Sequence, residues 1–287
     1  MAGLALIVVA MATGVFQQQD VLSMDYPEVN IPASEVHTVR IETAEYRMVL
    51  EKAADGWYLE HPIKAPIESP QIEGFLRRIA DFDIGGVLTA ESGRYAEYGV
   101  TPELGRQVEV EWDGGKVDFI VAGSSEDYQE SYVRVGRDPR VFYLGRRMPV
   151  TDTPTLWRDK RIVHIDPSRV ESISIEGPDR DYTIHRTGEG GLSLEPGGRV
   201  DSTAAARVVG YYSMLRTDSF GEGGADDVRE APDVTVVIRH DEGETVLRWK
   251  RVDDFYAVVR DDDDTVYRLS ANRINSIAPV RSRLLAD

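Results

Sequence analysis

Cysteine is absent from this 287-residue chain. That absence excludes a disulfide framework, a thiolate nucleophile and a thiolate-bound metal. Positive charge is scarce: 33 Lys and Arg stand against 50 Asp and Glu, a formal net charge of −17. Nucleic-acid binding needs clustered cations that displace counterions from phosphate, so that class of partner is excluded. The same imbalance argues against a chain lying flat on an anionic membrane. An acidic surface is most simply a solubility device. Histidine is sparse and dispersed: His37, His61, His164, His185 and His240 show neither H-x-H nor H-x-x-x-H spacing, so no zinc site is written. Phosphate loops are missing as well, with no P-loop and no G-x-G-x-x-G. Gly221-Glu222-Gly223-Gly224 has no apolar helix behind it. Gly123-Ser124-Ser125-Glu126 lacks the strand–elbow–helix context of a serine nucleophile. Paired carboxylates are so common in an acidic chain that they point to no glycosidase chemistry. The chain reads as a non-enzyme, with no cofactor and no metal.

Long hydrophobic runs are limited to one. Met1–Phe16 carries no charge and ends sharply at Gln17-Gln18-Gln19-Asp20. Sixteen residues fall slightly short of the ~20 that a full span needs, and no Lys or Arg precedes them. Ala10-Met11-Ala12 offers an A-x-A cleavage pattern. The missing basic flank favours an uncleaved anchor over a signal peptide. Either reading carries the acidic bulk across the cytoplasmic membrane. Residues 17–34, with Pro27 and Pro32, read as an extended stalk.

The remainder is written twice. Val36–Ile41 opens one copy and Val170–Ile175 the other. Tyr46-Arg47-Met48 matches Tyr182-Thr183-Ile184, and Gly56-Trp57-Tyr58-Leu59-Glu60 with Pro62 matches Gly191-Leu192-Ser193-Leu194-Glu195 with Pro196. A helix follows in each: Ile72, Phe75, Leu76 and Ile79 recur at 3–4 spacing behind an expected Ser69 cap, and 203–215 follow an Asp201 cap. Both copies end in alternating strands. Val108, Val110 and Trp112 point in while Glu109 and Glu111 point out, the pattern of a sheet with one wet face. Residues 83–94 and the acidic, Gly-rich 221–232 read as loops.

These patterns predict an α+β fold of two tandem, internally duplicated modules, each an antiparallel sheet with one helix packed on it. The boundaries are 1–16 for the membrane segment, 17–34 for the stalk, 35–150 and 166–287 for the modules, and 151–165 for a connector. Asp261–Asp264 reads as a solvated hairpin turn, since a calcium loop needs more oxygens in a tighter arrangement. Trp57 and Trp112 read as core. The candidate docking residues are Trp157, Arg158, Lys160 and Arg161 on the connector, which also holds Leu156, together with the surface tyrosines Tyr58 and Tyr211.

The motifs in order are Gly56-Trp57-Tyr58-Leu59 with Pro62, Tyr95, Tyr98-Gly99-Val100 with Pro102, and Tyr132-Val133-Arg134-Val135. They continue with Val141-Phe142-Tyr143-Leu144, Leu156-Trp157-Arg158-Asp159-Lys160-Arg161-Ile162 and Val170-Glu171-Ser172-Ile173. Over roughly residues 36 to 280 this series resembles the bacterial domain of unknown function 4340, whose members often accompany gliding-motility-type ABC transporters. The resemblance implies a membrane anchor, an extracytoplasmic location and association with a transporter or another membrane complex. It supplies no catalytic residues. The expected role is an accessory or scaffold subunit of an envelope complex, with a lipid bilayer contact through Met1–Phe16. The alternative is a periplasmic peptide- or glycan-binding module using a groove between the modules.

Overall fold

The computed structural model describes residues 25–80, 82–122, 131–188 and 190–286. The expected membrane segment Met1–Phe16 lies outside the described residues, as does the stalk up to residue 24. Among the described residues no helix is long and apolar enough to cross a membrane. The chain divides into two compact units after Arg158, inside the stretch read as a connector.

The first unit is built on a nine-stranded antiparallel sheet in the order β4-β3-β2-β1-β6-β7-β8-β9-β5. Its strands are β1 (Val36–Glu42), β2 (Arg47–Ala53), β3 (Gly56–His61), β4 (Ala65–Ile67), β5 (Ile84–Thr89), β6 (Arg106–Trp112), β7 (Gly115–Val121), β8 (Ser131–Val135) and β9 (Val141–Leu144). Period-2 alternation sets its faces: Val39, Ile41, Val108 and Val110 are buried, while Arg40, Glu42 and Glu109 point away. Helix α1 (Ser69–Ile79) lays Ile72, Phe75, Leu76 and Ile79 on the apolar face. Its N-cap is Glu68 in an extended conformation, with no side-chain cap bond. Ser69 is therefore already helical, one residue earlier than expected, with Pro70 fixing φ within the first turn.

Two expectations for this unit change. The loop read over 83–94 contains the edge strand β5, paired to β9. Its Gly85-Gly86 pair lowers strand propensity, yet those glycines admit the Tyr143 ring, which a Cβ on Gly85 would meet at 2.2 Å. Packing outweighs propensity there. The described part of the stalk is also docked. Val29 and Ile31 are buried, the Ile31 N–H donates to the Ala80 carbonyl at 3.0 Å, and Tyr26 meets Phe142 edge-on.

A one-turn helix, α2 (Pro154–Trp157), closes the first unit. The second unit carries β10 (Val170–Glu176), β11 (Tyr182–Arg186), β12 (Leu192–Glu195), β13 (Ser219–Phe220), β14 (Val234–His240), β15 (Gly243–Val252), β16 (Phe255–Arg260) and β17 (Asp263–Ser270). Their order is β12-β11-β10-β14-β15-β16-β17-β13, all antiparallel. Helix α3 (Ser202–Ser213) buries Ala205, Val208, Val209 and Tyr212. Asp201 caps it as expected, accepting from the N–H groups of Thr203 and Ala204. The segment read as an acidic loop forms a helix, α4 (Ala225–Glu230), which seats Val228 on Ala257, Val259 and Val266. The sequence concealed it because only one side chain of six is deeply buried. A final short helix, α5 (Ile274–Ile277), adds Ile274 and Ile277 to the second core.

Apart from β4, the two strand orders correspond position by position, with β1, β6, β7, β8 and β9 matching β10, β14, β15, β16 and β17. Cis peptides occur at His61–Pro62 and at Glu195–Pro196, just after β3 and β12. Each unit has its own core. Phe75, Phe119, Phe142 and Trp157 are the largest fully buried side chains in the first, and Tyr212 and Trp249 in the second.

Candidate functional site

The sheet face opposite α1 carries a cleft of about 440 Å³. Strand pairing arranges its floor in rows. One row runs Glu42, Gln107, Ile120 and Arg134 across β1, β6, β7 and β8. The next runs Arg40, Glu109 and Asp118, followed by Gly136, whose N–H donates to the Asp118 carbonyl at 2.8 Å. Pro102 forms part of the rim.

Electrostatics divide these residues into two groups. Arg40 reaches Glu109 and Glu111, both at 2.9 Å, and Lys116 reaches Glu109 at 2.8 Å. The Lys116 hydrogen bond, helped by Arg40, holds the Glu109 carboxyl below its ordinary value against the opposing effect of burial. That network is closed on itself. Arg134 and Asp118 behave differently: neither makes an ion pair with any described residue. The Arg134 guanidinium instead lies over the Tyr95 ring, 4.7 Å from its centroid. Tyr95 is anchored in turn by its hydroxyl, which donates to the Pro139 carbonyl at 2.7 Å.

A family model described as Domain of unknown function (DUF4340) matches residues 57–233, more than half of the chain. The chain belongs to the DUF4340 family. The match begins in β3, crosses the division after Arg158 and ends just before β14. No curated protein and no solved structure matches the chain.

The docking residues expected in this DUF4340 chain separate into buried and exposed. Trp157 is 1% exposed; its ring stands edge-on to Phe75 at 5.4 Å and its Nε1–H donates to the Thr151 carbonyl. It is a core residue and no part of a docking surface. Its neighbour Leu156 is 50% exposed. Arg158 is also buried, and its backbone bridges to Ile67 at the end of β4. The remaining candidates reach the surface. Lys160 is half-buried, and its carbonyl accepts from the Thr217 N–H. Arg161 chelates Asp159 through Nε and Nη2, so a neighbouring carboxylate neutralises its charge. Tyr58 is half-buried, its hydroxyl donating to Asp55 at 2.8 Å with Lys64 over the ring. Tyr211 stands exposed on α3.

Trp57 is buried as expected, and Trp112 is partly buried against the same core. Asp261–Asp264 is only half turn, because Asp263 and Asp264 already belong to β17. The four carboxylates diverge. Arg248 takes Asp261, Arg260 takes Asp262, the Tyr267 hydroxyl and Thr265 N–H take Asp263, and Arg229 takes Asp264. Arg134 and Asp118 escaped the sequence reading. Their only trace was an outward charge among the apolar residues of two strands, which many surface strands share.

Proposed function

We propose that this DUF4340 chain is a non-enzymatic, membrane-anchored accessory subunit of a bacterial envelope complex of ABC-transporter type, acting by protein–protein docking. Met1–Phe16 tethers it to the bilayer, and the acidic bulk stands on the extracytoplasmic side. The observation that carries this reading is the outer face of α3. Tyr211 lies there and Met214 just past the C-terminal end of the helix, 39% and 60% exposed, while the opposite face of the helix is buried in the second core. Large exposed apolar side chains at one end of a helix, in a chain with this much surface charge, suit a surface that meets another subunit. Lys160 and Arg161 add a polar contribution elsewhere on the same unit.

The two units are read as an internal duplication. The common strand order supports it, as does the single long helix that follows β3 and β4 in one unit and β12 in the other.

Mild-detergent affinity purification of the full-length protein from native membranes, followed by mass spectrometry, tests the docking role. The expected result is stoichiometric membrane subunits together with peptides from Met1–Phe16. The double variant Tyr211→Ser/Met214→Ser, folded but without its apolar surface, should lose those subunits. Recovery of a lone soluble protein beginning near Thr13 overturns the reading.

A further inference from the structure

The cleft in the first unit holds an opposite-charge pair that does not close. Asp118 on β7 and Arg134 on β8 are diagonal neighbours on one face, since Ile120 faces Arg134 directly and Asp118 lies two residues back. Diagonal neighbours in a sheet stand roughly 7–8 Å apart at Cα, well within reach of an Arg and an Asp. They nevertheless form no salt bridge, because the guanidinium is stacked on Tyr95. Arg40 is taken by Glu109 and Glu111, and Lys116 by Glu109, while Glu42 and Arg47, on the far side of the same cleft, also make no ion pair among the described residues.

We propose that this gap is a binding site for the zwitterionic head of a free α-amino acid, which takes Arg134 on its carboxylate and Asp118 on its ammonium. A guanidinium fixed by stacking offers a carboxylate two parallel donors with little ordering cost. An exposed carboxylate one strand away accepts from an ammonium. The ligand side chain lies toward Ile120, Pro102 and the Gln107 amide, all of which line the cleft. A volume of about 440 Å³ is within the range of small-molecule sites.

The second unit supplies an internal comparison. Strand pairing matches Asp118 with Val246, which faces Val237, and Arg134 with Val259, which faces Arg248. The same strand order is therefore built with valines at both positions, so the topology does not require charge there. In that unit Val259 is covered by α4, whereas Arg134 borders open space.

The test is calorimetric titration of the full chain in mild detergent with L-leucine, N-acetyl-L-leucine and L-leucine methyl ester. Saturable binding of L-leucine is expected, weakened about tenfold or more when either end is blocked, as for the loss of one charge-assisted contact. Asp118→Asn and Arg134→Gln should each weaken it to a similar degree, with circular dichroism unchanged. Asp118 is exposed, so its variant is decisive even if Arg134→Gln fails to fold. Absence of saturable binding overturns the proposal. Equal binding of a blocked form, or binding indifferent to Asp118→Asn, does so as well.

Discussion

Trp157 shows how differently a residue reads in sequence and in space. Followed by Arg158, Lys160 and Arg161, it looks like the aromatic end of a basic docking patch. In the fold its indole fills the first core against Phe75, and its one polar atom is satisfied by the Thr151 carbonyl. Trp157→Ala should therefore destabilise the first unit by about 3–5 kcal/mol, the usual cost of truncating a buried tryptophan. Urea unfolding followed by far-UV circular dichroism would measure it, and a loss under ~1 kcal/mol would return Trp157 to the surface. Arg134 is the reverse case. Between Val133 and Val135 it looks like an ordinary outward strand residue, and only the ring of Tyr95, thirty-nine positions earlier, gives it a fixed direction.

At the scale of elements, legibility followed local determinants. The α3 N-terminus was readable because the Asp201 carboxylate needs only the next few N–H groups, and it accepts from two of them at 2.9 and 3.0 Å. Asp201→Ala should cost about 1 kcal/mol and lower the unfolding midpoint of the second unit, whereas Asp201→Ser should retain most of that stability. Equal losses from both variants would deny the capping role. The alternating strands were readable for the same reason, since period 2 is a property of neighbouring residues. β5 and α4 were not. One has a glycine pair that makes sense only beneath Tyr143, and the other has one buried valine that makes sense only over β16 and β17.

Over the whole molecule, the charge of −17 and its pairing act in opposite directions on stability. Self-repulsion among unpaired carboxylates weakens the fold at neutral pH. Several paired ones strengthen it. Lys116 and Arg40 hold Glu109 below the ordinary 4.5, Arg140 holds Asp138 below 3.8, and Arg169 does the same for Asp241. A carboxyl whose folded value is lowered binds fewer protons in the folded state than in the unfolded one. Its contribution is present above the unfolded value and is lost as pH falls through the folded one. Stability should therefore decline as pH drops through and below the 3.8–4.5 range, and Glu109→Gln should make that decline shallower. Urea midpoints at pH 7, 5 and 3 would check it, and an unchanged midpoint at pH 3 would contradict the pairing.

The sequence by itself determined the α+β class, the antiparallel strands with one wet face, the two long helices and their apolar stripes, and the DUF4340 resemblance. All of these depend on spacing within a few residues or on the order of short motifs. Tertiary structure alone decided that Trp157 is core, that residues 83–94 hold a strand and 221–232 a helix, and that Asp118 and Arg134 face one cleft without pairing. Those outcomes depend on contacts between strands and rings distant in the chain, and no local period records them.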